Sequence, residues 1–371
     1  MIILDFILLL FTFYALAKLI DLFFVETLEI ISKKLKLSSD VAGATFMAIG
    51  SSAPELFVSI LALTKVNEQQ SLGAGTIVGS AIFNILVIIG ASALFKRALL
   101  TWQPVIRDMT FYILTIFMLL FTFIDGKITF IDSALFIGLY ILYIFSLNFW
   151  KKLFPYTSKD DILNTLAEEK ETRNIRKENW SIKNIFDKAL TTVFFDLEKK
   201  PKLYLINFFI SILLLAILSH YMVEAAVNIA IFFKIPSVII GLTILAAGTS
   251  IPDLLASINV AKKGKGDMAI ANAVGSNIFD IAIGLGLPWF FLTLITGKNI
   301  VVVTENLSSS ITLLFATVVA LLFLLLAKKW EIGRYAGILL IASYIFYILT
   351  QLGIVSFSIC LNLAGSHCFG L

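Results

Sequence analysis

Charge is what this chain has least of. Only 15% of its 371 residues are Asp, Glu, Lys or Arg, where a soluble globular chain carries about 25%. The hydrophobic share is 59% and the mean hydropathy is +0.96. Apolar runs near the roughly 20 residues that cross a bilayer recur along the chain. A soluble fold is excluded, and the expectation is an all-α polytopic membrane protein. Cysteine is scarce too. Cys360 and Cys368 lie close together near the C-terminus; they would pair only if that segment faces an oxidising side, and two cysteines do not make a disulfide framework. Small apolar tail residues are the plainer reading of both. Almost no basic residues precede the first apolar run, so a cleaved signal peptide is not expected, and no lipidation box is present.

What is present is ten apolar segments, at 2–31, 41–64, 72–95, 108–124, 129–149, 203–233, 237–261, 268–296, 308–327 and 333–352. Five precede and five follow a polar stretch, 151–202, rich in Lys, Glu, Asp and Asn. That stretch reads as a loop with helix around 160–200, and nothing in it resembles a calcium-binding loop. The net charge of +4 is modest, but its placement alternates. One set of connections holds Lys33, Lys34 and Lys36; Lys96, Arg97 and Arg107; the basic residues of 151–202; Lys262, Lys263 and Lys265; and Lys328, Lys329 and Arg334. The other set holds only Lys65, Lys127, Lys234 and Lys298. By the positive-inside rule the first set is cytoplasmic. The 151–202 loop is then inside and both termini are outside. Apart from Arg334 at the edge of the last one, Lys18 is the only basic residue within an expected segment.

Two hexads interrupt the apolar pattern: Gly50-Ser51-Ser52-Ala53-Pro54-Glu55 and Gly248-Thr249-Ser250-Ile251-Pro252-Asp253. Around them Gly43/Gly241, Thr45/Thr243, Ala48/Ala246, Ser52/Ser250 and Leu56/Leu254 coincide at one constant offset. Downstream, Val78-Gly79-Ser80-Ala81-Ile82-Phe83-Asn84-Ile85 matches Val274-Gly275-Ser276-Asn277-Ile278-Phe279-Asp280-Ile281. The chain therefore reads as two five-helix repeats, 1–150 and 203–352, joined by 151–202 and followed by a tail, 353–371. Five is odd, so the second copy enters the membrane in the opposite sense. Inverted repeats with interrupted helices in matching positions point to a secondary transporter whose site lies at their interface. Small-residue helix packing is the plainer account of such patterns, but it does not explain matched carboxylates.

Spacing supplies the chemistry. Ser51 and Glu55, Ser80 and Asn84, Thr249 and Asp253, and Ser276 and Asp280 are each four apart and share a helix face. All are oxygen donors, which favours hard cations over zinc or copper. Pro54 and Pro252 lack an N–H, so the carbonyls of Gly50 and Gly248 lose their i→i−4 partner. Ala48 and Ala246 are further candidate carbonyl donors. Glu55, Asp253 and Asp280 together carry −3, a load that one Ca²⁺ with one K⁺, or three Na⁺, would neutralise. Two mutually exclusive loads for one site are a physical basis for antiport. Glu26 and Glu224, on the first helix of each repeat, are placed either on an ion path or at an interface; Asp132 and His220 are read as structural.

At these residues the sequence resembles the cation/calcium exchanger superfamily. The regions 41–95 and 237–289 are similar to its alpha-1 and alpha-2 repeats. The wording Ala-Ala-Gly-Thr-Ser-Ile-Pro-Asp (246–253) and Gly-Ser-Asn-Ile-Phe-Asp (275–280) is similar to potassium-dependent sodium/calcium exchangers. The resemblance implies ten helices, alternating access, and a transporter rather than an enzyme. It implies Glu55 and Asp253 as central Ca²⁺ ligands with Ser51 and Thr249 beside them. Ser52, Ser80, Asn84, Ser250, Ser276 and Asp280 would complete Na⁺ and K⁺ sites, joined by the Ala48 and Ala246 carbonyls. Asp280 stands where potassium-independent animal members have Asn, and the family associates that acid with K⁺. Two departures are Ser51, where Thr or Gly is common, and a cytoplasmic loop too short for the calcium-sensing domains of animal exchangers. A Ca²⁺/H⁺ antiporter is the alternative, although its relatives carry Gly-Asn-x-x-Glu in the hexads. A passive channel needs weak binding along a pore. An intramembrane aspartyl protease would rest on Gly264-Lys265-Gly266-Asp267 alone, beside Lys262-Lys263 and without a Tyr-Asp partner. The expected partners are the bilayer of a cell membrane and the ions themselves, with no cofactor and no nucleic acid, in a monomer or weak oligomer.

Overall fold

The computed structural model describes residues 2–24, 27, 30, 31, 34, 48–63, 71–95, 98–154, 193–195, 201–262, 266–302, 305–352, 358–361 and 367–370. Glu26 and most of 151–202, including the helix expected there, lie outside these residues.

The described chain is almost wholly helical. The first half holds α1 (Ile2–Leu19), α2 (Ala48–Ser51), α3 (Ala53–Leu63), α4 (Ser71–Phe83), α5 (Ile89–Phe95), β1 (Ala98–Leu99), α6 (Trp102–Thr122), β2 (Lys127–Ile128) and α7 (Phe130–Leu153). The second half holds α8 (Tyr204–Phe233), α9 (Ser237–Ile240), α10 (Ala246–Thr249), α11 (Ile251–Lys262), α12 (Gly266–Phe279), α13 (Gly286–Thr296), β3 (Ile300–Val301), α14 (Glu305–Ala327), β4 (Glu331–Ile332) and α15 (Arg334–Gln351). Strands β5 (Ser358–Leu361) and β6 (His367–Gly370) pair antiparallel in the tail, with Cys360 opposite Cys368 in the backbone register. Among the described residues, eight helical spans are long and apolar enough to cross a membrane. The two remaining expected segments carry the hexads and are helical in shorter pieces, α2 with α3 and α9 through α11.

Local chemistry sets the boundaries. Thr129 and Asp132 form a reciprocal capping box that starts α7, which gives Asp132 the structural role expected of it. α8 stops at Lys234 in the left-handed region, φ 56°, and α13 stops at Gly297, φ 64°. His220 faces Glu224 one turn on, at 3.8 Å, with both side chains about half exposed.

Buried apolar side chains form two clusters. One joins α1 and α8 to a face of α3; the other holds α4 to α7 and α12 to α15 together. α1 runs along α8, tied at one end by Asn228 donating to Asp5 (3.2 Å). At the other end Phe23 stacks on Phe194 at 4.0 Å. Asn207 of α8 clamps the Phe195 backbone through both its N–H and its C=O, so the end of the polar stretch is fastened to the α1–α8 pair.

Two short strand pairs link the halves. β1 pairs with β4, and β2 with β3, both antiparallel. The first pairing joins two connections of the basic set, and the second joins two of the sparse set. Arg107 corrects the sequence reading. It lies inside α6, not in a connection, and is buried, because its guanidinium forks onto the adjacent Asp108 at 2.8 and 3.2 Å. Tyr143 of α7 donates to the same carboxylate at 3.2 Å.

The tightest helix contact sets the frame of the hexads. Gly75 and Gly79 of α4 lie against the π-helical turn 241–245 and α9. A Cβ at Gly75 would sit 2.8 Å from the Val238 carbonyl oxygen, and one at Gly79 would overlap that of Leu242. Small residues spaced four apart allow this approach, and backbone cannot yield as a side chain can. Gly79→Ala is therefore expected to destabilise the protein by about 1–3 kcal/mol, the usual range for overpacking. A lowered melting midpoint in detergent, read by size-exclusion retention after heating, checks it.

Candidate cation site

Each hexad breaks its helix at the serine before the proline. α2 ends at Ser51 and α3 begins at Ala53; α10 ends at Thr249 and α11 begins at Ile251. Ser250 has left helical geometry, at φ −84° and ψ 3°. The prolines supply no N–H to Gly50 and Gly248, as expected. The carbonyls of Ala48 and Ala246 do hold partners, accepting from Ser52 N (2.9 Å) and Ser250 N (3.2 Å). Their second lone pairs accept only weakly, from Ser51 Oγ at 3.5 Å and Thr249 Oγ1 at 3.4 Å, so each carbonyl can face an ion once those hydroxyls turn away. Gly248 has a packing reason of its own: a Cβ there would overlap the ring of Phe13, which α1 lays over the second hexad.

The halves interlock. α2 lies against α12, and α10 lies against α4. The π-helical turn Asn84–Ile88 follows α4, and a matching one, Asp280–Leu285, follows α12. Each begins at a residue singled out from the sequence, and π-bulges inside α-helices often mark functional positions. α3 touches the turn that begins at Asp280, and α11 touches the turn that begins at Asn84.

These contacts bring the sequence-predicted residues together. Ser80 and Ser250, from opposite halves, share a hydrogen bond of 2.7 Å; both hydroxyls lie 3.4 Å from Glu55 Oε1, and the one whose proton is not used between them donates to it. Thr249 also lies beside Glu55. Ser51 and Ser276 lie beside Asp253, and Asn84 donates to Asp253 Oδ2 at 3.4 Å. Asp280 lies across from Ser52 and within reach of the field of Glu55 and Asp253. Thr249 and Ser276 donate their hydroxyl protons back to helix carbonyls, of Leu245 at 3.0 Å and of Asn272 at 2.9 Å. Ser51 does so more weakly, toward Ala48 at 3.5 Å. A hydroxyl that has given its proton away presents only lone pairs to whatever lies on its other side.

The electrostatics decide what that is. Glu55, Asp253 and Asp280 are 0%, 1% and 0% exposed. Among the described residues none of them forms an ion pair. Oxygens without a hydrogen-bond partner concentrate here: Ser52 Oγ, Glu55 Oε2, Asn84 Oδ1, Asp253 Oδ1 and both oxygens of Asp280. A buried polar atom left unpaired is expensive, and a buried charge far more so. An all-oxygen set of acceptors, orphaned together around three carboxylates, fits hard cations. Among the described residues no three His, Cys, Asp or Glu side chains form a metal-holding group on their own, so hydroxyl, amide and carbonyl oxygens have to complete any coordination shell.

Sequence reasoning missed Asn272, which lies beside Asp253, and Asn277. Asn277 is fully buried and accepts from Asn84 Nδ2 at 2.8 Å. Its repeat partner is Ala81, so the alignment of the halves gave it no match. The available signal was an amide inside an apolar segment, next to Ser276. Glu224, by contrast, lies on a half-exposed helix face, and nothing places it in the site.

Membrane-spanning helices around a buried, oxygen-lined site define a multi-pass membrane transporter of cations, not an enzyme. The sodium/calcium exchanger protein family matches residues 6–148 and 203–353, and the chain belongs to that family. Among curated relatives it is similar to sodium/potassium/calcium exchanger 1 of Gallus gallus, at 30% identity over 91% of this chain and 77% of that protein. It is also similar to sodium/potassium/calcium exchanger 5 of Homo sapiens, at 32% identity over 95% of this chain and 84% of that protein. Among solved structures it is similar to the sodium-calcium exchanger NCX_Mj soaked with Na⁺ and Sr²⁺, at 27% identity and a TM-score of 0.57, covering 94% of this chain and 99% of that one.

Proposed function

We propose that this protein is a secondary antiporter that exchanges Na⁺ for Ca²⁺ by alternating access, with K⁺ carried alongside Ca²⁺. The observation that carries the reading is the cluster of three buried carboxylates with orphaned oxygens and no ion-pair partner. One Ca²⁺ with one K⁺, or three Na⁺, offsets their charge, and neither load leaves room for the other. Glu55 and Asp253, with Ser51 and Thr249, are the Ca²⁺ ligands on this reading. Ser52, Ser80, Asn84, Ser250, Ser276, Asp280 and the carbonyls of Ala48 and Ala246 serve Na⁺ and K⁺. Relatives named for sodium, potassium and calcium exchange support the choice of ions, and the acid at 280 supports K⁺.

The ion path needs two faces, and ten helices in two inverted five-helix repeats, 1–150 and 203–352, supply them. The strand pairs favour this arrangement. If the halves are related by a two-fold axis in the membrane plane, β1 corresponds to β3 and β2 to β4, and the pairing of β1 with β4 becomes that of β3 with β2. The reciprocal packing of α2 on α12 and α10 on α4 favours it too. The charge alternation supports a cytoplasmic 151–202 and both termini outside a cell membrane.

Reconstitution into vesicles tests the reading. An outward Na⁺ gradient is expected to drive Ca²⁺ uptake in K⁺ medium, and Glu55→Gln or Asp253→Asn is expected to abolish uptake at unchanged protein level. Wild-type-like uptake in either variant would sink the site assignment. Uptake driven by a proton gradient without Na⁺ would select the Ca²⁺/H⁺ alternative. Replacing K⁺ by an organic cation is expected to suppress uptake; undiminished flux would assign Asp280 to Na⁺.

A further inference from the structure

The orientation of one amide in the cluster, Asn84, is fixed by a neighbouring amide, Asn277, which is itself held from outside the ion site by Tyr112 and the Ala81 backbone. Asn277 of α12 donates both amide hydrogens away from Asn84: to the Ala81 carbonyl at 3.1 Å and to the Tyr112 hydroxyl at 2.9 Å. A carbonyl can only accept, so the nitrogen end of Asn277 points that way and its oxygen faces Asn84. Asn84 must then present its nitrogen to Asn277, at 2.8 Å. The same nitrogen lies 3.4 Å from Asp253 Oδ2 and 3.4 Å from Ser276 Oγ. What remains is Asn84 Oδ1, fully buried and without a partner.

We infer that Tyr112 and Asn277 form a positioning relay that turns the carbonyl oxygen, rather than the NH₂, of Asn84 toward the transported cation. The inference rests on the proposed cation site at Asn84. A flipped Asn84 would aim two N–H dipoles at the ion, the wrong sign for a cation. The relay reaches across three elements: α6 supplies the hydroxyl, α12 the amide, and α4 the backbone carbonyl that fixes the sense of the chain. Tyr112 is wholly buried, and the repeat counterpart of Asn277 is Ala81, so the device exists in one half only. It therefore distinguishes Asn84 from Asp280, whose two carboxylate oxygens are equivalent and need no such orientation. Tyr112 touches no ion on this account; it acts through Asn277.

Cation-dependent melting of the purified protein tests the relay without requiring transport. Na⁺, K⁺ and Ca²⁺ are each titrated, and the concentration giving half-maximal stabilisation is read beside the cation-free melting point. Tyr112→Phe is expected to raise the half-effective concentration of at least one cation by about three- to tenfold, the equivalent of one lost hydrogen bond. Asn277→Ala is expected to raise it further, and the double variant is expected to match Asn277→Ala alone. Tyr143→Phe, which removes an equally buried hydroxyl bonded to Asp108, is expected to leave it unchanged. An unshifted Tyr112→Phe, an equal shift in Tyr143→Phe, or additive effects in the double variant would overturn the relay. If Asn277→Ala does not fold, the comparison of Tyr112→Phe with Tyr143→Phe decides by itself. Stabilisation of the wild type by none of the three cations would overturn the cation site and the relay with it. A shifted Tyr112→Phe in a protein that fails to exchange Na⁺ for Ca²⁺ would retain the relay and remove only the antiport reading.

Discussion

Three carboxylates buried together, with no basic partner among the described residues, are the constraint on which the rest of the structure depends. Taking each out of water carries a penalty of several kcal/mol even after relaxation, and like charges in one site add repulsion. Arg107 shows what a resident solution looks like in the same molecule: a forked ion pair with Asp108, one residue away, further tied by Tyr143. Glu55, Asp253 and Asp280 have nothing of that kind. Their charge has to be met by something that arrives and leaves, and that separates a transporter's acid cluster from a structural one.

The backbone is arranged to serve that cluster. Proline and glycine break α2 from α3 and α10 from α11, which puts hydroxyls and carbonyls at depths where an unbroken helix would keep its polar groups to itself. The glycines of α4 let the second hexad's approach be close. π-helical turns then begin at Asn84 and Asp280, so all four polar positions come from interrupted helices. Serine and threonine hydroxyls that donate backward to helix carbonyls finish the site as a shell of acceptors. Because Ser80 and Ser250 bond across the halves, while Asn84 and Asp253 do the same, neither half has a site alone. On the proposed mechanism that shared ownership couples a movement between the halves to ion release.

Much of this was legible in the sequence, because membrane burial writes itself in long apolar runs and because a polar residue inside such a run has few innocent explanations. The segment expected at 203–233 is α8, Tyr204–Phe233, nearly to the residue. The four-residue spacing of Ser51 with Glu55 and of Thr249 with Asp253 led to side chains that do converge. The misses have physical causes. Arg107 reads as a loop residue because a lone arginine does not belong in lipid; its partner Asp108, next in sequence, is the clue that contradicts that reading. Asn277 went unnoticed because its repeat partner is an alanine, and it is Ala81's backbone, not its side chain, that Asn277 bonds. Two-residue strands such as β1 and β4 have no periodicity to detect, and π-helical turns leave no mark in composition.

On the proposed function, the two hexads make one site that holds either Ca²⁺ or Na⁺. Equilibrium Ca²⁺ binding to the purified protein, measured with isotopic Ca²⁺ while Na⁺ is raised, tests it most directly. A single class of Ca²⁺ site per chain is expected, lost in Glu55→Gln and in Asp253→Asn alike, and displaced by Na⁺ competitively and steeply. Ca²⁺ that stays bound at saturating Na⁺, or a Ca²⁺ site that survives removal of one hexad's carboxylate, would contradict it.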